Sequence, residues 1–257
     1  DRFIFGEGAI DKLDEILSKR RNSVTSSVVF LIDEYFECNP NTLGSLPCEK
    51  NDQLIYVSTA DEPITEAIDN LAERISQWSE VLPCALVGIG GGITLDTTKA
   101  ISNLLTNNGR AQDYQGWDLV KMPGVYKVGI PTLSGTGAET TRTCIMTNKA
   151  SRLKLGMNSD YTVFDQLILD PNLTATVPQD QYFYTGMDAW IHCLESLNGN
   201  FRNPVGDAYS ARAIDLCREV FHADDMMSDA NRSKLMVASF LGGSAIATSY
   251  VGVVHPF

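Results

Sequence analysis

Short apolar runs rich in β-branched residues alternate with amphipathic stretches through the first two-thirds of the chain. The runs at 28–32, 54–57, 85–89, 127–131 and 166–169 are almost unbroken by polar residues. That is the pattern of parallel strands covered on both faces. The stretches at 9–19, 64–78 and 95–105 space their apolar residues as helices do. Strand, helix and strand in repetition predict an α/β sheet with right-handed crossovers. After Asp170-Pro171 the pattern turns helical, over 181–198, 204–221 and 233 to about 251. Pro204 stands where a first-turn proline would, and Ser228 or Asp229 is available to cap the last helix. A boundary is therefore expected within 172–180, between an α/β part, 1–175, and a helical part, 176–257.

Two glycine segments follow predicted strands. In Gly88-Ile89-Gly90-Gly91-Gly92-Ile93-Thr94-Leu95-Asp96 a buried strand runs through three consecutive glycines into a helix. Glycine lets backbone N–H groups approach a phosphate closely, and the helix N-terminus adds partial positive charge. The alternative is a tight strand-to-helix turn, which needs fewer glycines. The second segment, Pro131-Thr132-Leu133-Ser134-Gly135-Thr136-Gly137-Ala138-Glu139, follows the next strand. Two such loops at the carboxyl ends of neighbouring strands mark the edge where open α/β sheets bind ligands. Asp33 ends the strand at 28–32, where an acid can hold a ribose and repel a 2′-phosphate; a plain turn or cap residue fits the spacing as well.

Asp188 and His192 lie four apart on a predicted helix, so one face presents both to a shared cation. A surface pair, or a satisfied core pair, has the same spacing. Of the three histidines, His192 and His255 sit in apolar helical surroundings. His222 follows a helix end beside Asp224 and Asp225, as a solvated residue would.

Composition narrows the partners. A net charge of −12 argues against non-specific binding to nucleic acid or an anionic membrane. The six cysteines form no CxxC pair, so they read as free thiols in a reducing, cytoplasmic setting. The opening Asp1-Arg2-Phe3-Ile4-Phe5 has no basic stretch ahead of an apolar one, so no signal peptide is expected there. Residues 235–257 carry no formally charged side chain and are long enough to span a bilayer. Their glycines and hydroxyls instead predict a helix buried in a bundle.

Taken in order, these segments resemble the iron-containing (group III) alcohol dehydrogenases. Phe5-Gly6-Glu7-Gly8-Ala9-Ile10 resembles that family's opening hairpin signature, and Gly90 to Lys99 its GGGSxxDxxK element. Residues 131–139 are similar to PTTxGTGSE, and Gly186 to Glu195 to GxDAxxHxxE. Val254-His255-Pro256 falls where a further ligand histidine stands. The resemblance implies a Rossmann-like parallel-sheet dinucleotide-binding domain, followed by the N-terminal part of an all-helical metal-binding domain. It implies a divalent metal, Fe2+ or sometimes Zn2+, on Asp188, His192, His255 and a fourth histidine that falls beyond Phe257. It implies NAD(H) on Asp33, Gly91, Gly92, Asp96, Thr132, Ser134, Gly135 and Lys154, a small-molecule alcohol as substrate, and a homodimer.

The departures are Ile93 for the family's Ser, Leu133 for Thr and Ala138 for Ser, with Arg142 and Arg202 as additional cations. Those arginines suggest a substrate carboxylate, and the loop around Arg142 with residues 198–203 narrows the resemblance to oxidation of the terminal hydroxymethyl of an eight-carbon acid sugar. Charge pairing within the protein is their other reading. A dehydroquinate-synthase-like lyase that uses NAD transiently, and a non-catalytic nucleotide-binding protein, are the rival functions.

Overall fold

The computed structural model describes residues 3–44, 46–252, 254 and 255. The described residues form nine strands: β1 (Phe3–Phe5), β2 (Val28–Asp33), β3 (Gln53–Val57), β4 (Ala85–Gly90), β5 (Gly116–Trp117), β6 (Lys127–Pro131), β7 (Thr143–Asn148), β8 (Leu153–Asn158) and β9 (Gln166–Leu169). The helices are α1 (Leu13–Ser18), α2 (Tyr35–Cys38), α3 (Thr65–Trp78), α4 (Gly92–Leu104), α5 (Gln179–Asn198), α6 (Pro204–Phe221) and α7 (Asp229–Ser249).

Six strands make one parallel sheet in the order β1-β9-β6-β4-β2-β3. Strand β2 shows why its sequence is unbroken in apolar residues. Val29 and Leu31 enter one core with Ile68, Ile75 and Ile101 of α3 and α4. Val28, Phe30 and Ile32 enter the opposite core with Leu13, Leu17 and Phe36. Successive side chains point to opposite faces, and both faces are covered.

The predicted helix over 9–19 is a 3-10 turn, Ala9–Lys12, followed by α1. The Asp170 carboxylate, at the end of β9, accepts the N–H groups of Gly8, Ile10 and Asn172 and so anchors that turn. Among the described residues the opening segment is not a hairpin: β1 pairs in parallel with β9, as an edge strand.

A three-stranded sheet, β5-β8-β7, was not anticipated. Its β8 is mostly exposed, so no apolar run announces it. The β7–β8 turn is set by Asn148, whose side-chain oxygen accepts the N–H groups of Ala150 and Ser151.

Helices α5, α6 and α7 bury Tyr182, Cys193, Ala213, Leu216, Cys217 and Leu235 among themselves. Asn203 caps α6 through the N–H groups of Val205 and Gly206, with Pro204 in the first turn. Helix α7 begins at Asp229 instead of 233, and the hydroxyl of Ser228 makes no capping bond. No described helix is long and apolar enough to cross a membrane. The seam between sheet and helices is apolar, with Leu95, Ala138, Leu167 and Leu169 meeting Met236 and Phe240.

Glu139 is sealed into that seam at 2% exposure, with a long contact to Ser239. Burial pushes its carboxyl up from 4.5 to about 7. The folded state therefore binds this proton more tightly than the unfolded chain does. The associated stability is complete below about pH 4.5 and is lost as pH rises through about 7, a change of about 3 kcal/mol. Glu139→Gln is expected to flatten the decline in melting temperature between pH 5 and 8; an unchanged pH profile in the variant contradicts this assignment.

Candidate metal and dinucleotide site

The chain runs from β2 outward to β3 and then returns to β4 on the other side of β2. The carboxyl ends of β2 and β4 therefore flank a topological switch point, the crevice in which such sheets bind ligands. Asp33 closes one side. Its Oδ1 accepts the Tyr35 N–H at 3.0 Å, and burial, opposed by that bond, raises its carboxyl. Gly90-Gly91-Gly92 forms the other side and leads into α4. A methyl added at Gly90 would lie 3.0 Å from Asp33 Cβ and 2.6 Å from Thr94 Oγ1. A cavity of about 170 Å3 opens here, lined among others by Asp33, Thr59, Thr132, Leu133 and Gln181. A larger concavity, about 460 Å3, lies by Arg20, Tyr126 and Asp165 at the amino ends of β6 and β9, at the opposite edge of the sheet.

Two buried hydroxyls beside this crevice, Thr94 Oγ1 and Ser134 Oγ, have no partner among the described residues. Orphaned donors of this kind fit a polar ligand, since a buried hydroxyl left unpaired costs free energy. The Leu133 side chain, a departure from the family pattern, lies 2.8 Å from the space over Gly91.

Three residues expected at the dinucleotide are engaged elsewhere. The Gly135 N–H donates to Ser239 Oγ of α7 at 2.8 Å, so it is not presented to a phosphate. A methyl on Gly135 would lie 1.8 Å from the Thr185 carbonyl oxygen, so this glycine serves close packing on α5. The Asp96 carboxylate accepts the Ile145 N–H at 2.8 Å and meets Lys99 Nζ at 3.5 Å, tying α4 to β7. Lys154 stands exposed on β8, paired with Glu62.

Lys99 stood in the sequence only as the last residue of the glycine element. It is fully buried, and its Nζ donates to the carbonyls of Thr141 and Thr143 and to Thr141 Oγ1. A lysine inside an amphipathic helical stretch gives no sign of that burial.

The arginines do not face an open site. Arg142 is held between Asp118 and Asp160, and Arg202 pairs with Asp207 at 2.9 Å. Pairing within the chain is thus the reading that the structure favours for both.

Asp188, His192 and His255 converge. One ligand atom from each lies within 4.8 Å of the other two. His255 Nε2 is 3.1 Å, and His192 Nε2 3.7 Å, from Asp188 Oδ1. Donors each about 2.1 Å from a tetrahedral cation stand about 3.4 Å apart, so both separations suit a shared ion. The two imidazoles stack at 4.3 Å between centroids.

Burial pushes His192 down to about 4 and keeps it neutral, the form that offers a lone pair. Its Nδ1 is buried without a partner among the described residues. Burial acts to raise the Asp188 carboxyl, but the hydrogen bond from His255, with the two neighbouring imidazoles, outweighs it and holds it low. Hydrogen bonding to Asp188, then to Glu195, raises His255 against its own burial. One oxygen, two nitrogens and a buried orphan together fit a divalent cation. Pro256, part of the motif around His255, lies outside the described residues. Glu195 was quoted only as part of a motif, yet it contacts His255 Nδ1 directly.

The family model described as iron-containing alcohol dehydrogenase matches residues 1–171, and the C-terminal model of the Fe-containing alcohol dehydrogenase family matches 182–257. A sulfoacetaldehyde reductase of Bilophila wadsworthia is 33% identical over 205 residues, 78% of this chain and 52% of that protein. An NAD-dependent methanol dehydrogenase of Bacillus methanolicus is 35% identical over 176 residues, 66% of this chain and 45% of that protein. The chain thus spans about half the length of these curated relatives. Among solved structures, a 1,3-propanediol oxidoreductase superposes with a TM-score of 0.86 at 24% identity, over 98% of this chain and 66% of that one. A sulfoacetaldehyde reductase of Bifidobacterium kashiwanohense in complex with NAD+ gives 0.83 at 21%, over 97% and 66%. At these identities the superpositions establish a common fold.

Proposed function

This chain belongs to the iron-containing alcohol dehydrogenase family, and from that premise we propose that it carries the cation- and dinucleotide-binding machinery for oxidation of a primary alcohol to an aldehyde by hydride transfer. The observation that carries the reading is the convergence of Asp188, His192 and His255.

Asp188 supplies the anionic donor and His192 a neutral one. A divalent cation held by these residues supplies Lewis acidity to the substrate hydroxyl, worth several kcal/mol of charge stabilisation. A nicotinamide dinucleotide in the crevice supplies the hydride acceptor. Gly90, Gly91 and Gly92 carry the backbone into the N-terminus of α4, where the helix dipole favours the negative charge of its pyrophosphate. Thr94 and Ser134 offer their unpaired hydroxyls at the same edge. Holding the reactants in fixed orientation supplies much of the rate.

Asp33 is assigned to the adenosine ribose. Its carboxylate accepts from the ribose hydroxyls and repels a 2′-phosphate. Asp33→Ala is expected to raise the KM for NAD+ about 10- to 100-fold, the worth of hydrogen bonds to a charged group. It should narrow discrimination against NADP+. Steady-state kinetics with both cofactors check this, and an unchanged preference contradicts it.

The relatives named above point to small alcohols and aldehydes. An acid sugar such as 3-deoxy-D-manno-octulosonate needs a free cation for its carboxylate, and Arg142 and Arg202 are already paired. We therefore propose the substrate class no more narrowly than a primary alcohol. The test is NADH formation by iron- or zinc-loaded full-length protein over a panel of neutral and acidic alcohols. Turnover abolished by a chelator and restored by metal supports the reading. A metal-loaded protein that produces no net NADH with any alcohol contradicts it, and favours a lyase that uses NAD only transiently.

A further inference from the structure

Asp188 and His192 stand on one rigid helix, a turn apart on α5. The third donor has no such support. His255 lies beyond α7, in a turn, with its side chain 25% exposed. A single carboxylate gathers that turn. Glu195 is 7% exposed and lies on the same face of α5, seven residues after Asp188 and three after His192. Its Oε1 accepts the N–H of Val254 and, at 3.3 Å, that of His255. Its Oε2 contacts His255 Nδ1. The chain passes closely over the Glu195 stem, for a methyl on Gly252 would lie 3.1 Å from both Cβ and Cγ.

The consequence for the imidazole is specific. Nδ1 stands against a carboxylate and Nε2 is turned to Asp188 Oδ1, 3.1 Å away, so a cation taken on Nε2 would leave the ring proton on Nδ1. Glu195 is not among the groups whose donor atoms converge on the candidate cation position. Its oxygens are occupied by the turn.

We propose that Glu195 is a positioning residue for the cation site: α5 contributes two donors directly and, through Glu195, fixes the tautomer and orientation of the third. This rests on the reading that Asp188, His192 and His255 hold a divalent cation. Partners that orient a ligating histidine through its other nitrogen are typically worth 10- to 100-fold in metal affinity. A glutamine at 195 keeps one acceptor but turns a donor toward either the backbone N–H groups or Nδ1–H, so it cannot satisfy both.

The test is a double-mutant cycle on the full-length protein, with Zn2+ affinity measured by competition against a chromogenic chelator. Glu195→Gln is expected to weaken Zn2+ binding about 10- to 100-fold in the parent. In a His255→Ala background it should weaken binding less than about twofold, because the residue through which it acts is gone. Equal losses in both backgrounds, or no loss in the parent, overturn the proposal. A parent that binds no Zn2+ overturns it together with the cation reading, whereas failure of the variants alone leaves the cation reading standing.

A second measurement does not require the variant to fold. The ring nitrogens of the histidines can be resolved by 15N NMR of the zinc-loaded parent. His255 should show zinc on Nε2 and a proton on Nδ1. Coordination through Nδ1 overturns the proposal.

Discussion

Asp188→Ala is expected to lower kcat/KM for any alcohol substrate about 10³-fold, the rate equivalent of losing several kcal/mol of Lewis-acid stabilisation. Asp188 is the only anionic donor of the three that converge, and it also meets both histidine Nε2 atoms. Removing it leaves two imidazoles without the charge that favours a divalent ion. Its side chain is a third exposed on α5, so the fold should tolerate the change. Steady-state kinetics paired with metal analysis check the prediction. Activity within tenfold of the parent, with metal content intact, contradicts it.

Gly135→Ala is expected to destabilise the chain by about 3 kcal/mol or more, at the upper end of what overpacking costs. The new methyl would meet the Thr185 carbonyl oxygen at 1.8 Å and its carbon at 2.4 Å. These are backbone atoms of a helix and cannot rotate aside. The loop is held there twice more, by the Gly135 N–H to Ser239 Oγ and by Gly137, whose φ of 61° and approach to Gly243 leave no room for a side chain. For a chain of this size the melting temperature should fall by about 6–12 °C. Gly92→Ala, whose methyl meets only the Thr136 side chain at 3.2 Å, should cost distinctly less. Equal melting temperatures for Gly135→Ala and the parent would show that the loop is not seated as described.

Those two residues also show how far the sequence could be read. Asp188 and His192 were legible as a pair because helical spacing places them on one face. Nothing in spacing joins His255 to them, and only the family resemblance did so. Gly135 read as a phosphate-loop glycine, because a strand followed by glycines looks the same whether the loop faces a ligand or a helix. Its partner, Ser239, is 104 residues away. Arg142 was readable either as a cation for a substrate or as half of an internal pair, and spacing could not choose, since its partners Asp118 and Asp160 lie in separate segments of the chain. The six-stranded sheet was mostly visible through runs buried on both faces. Strands β7 and β8 were not, because threonines and asparagine interrupt the apolar residues of the first, and lysine and glycine those of the second.

The central claim is that one cation sits among Asp188, His192 and His255. Anomalous diffraction at the metal edge, from crystals of the full-length protein loaded with Fe2+ or Zn2+, tests it most directly. The account requires one strong peak about 2.0–2.2 Å from an Asp188 carboxylate oxygen and from Nε2 of both histidines. A strong peak elsewhere, or none at this position in metal-loaded crystals, would contradict it.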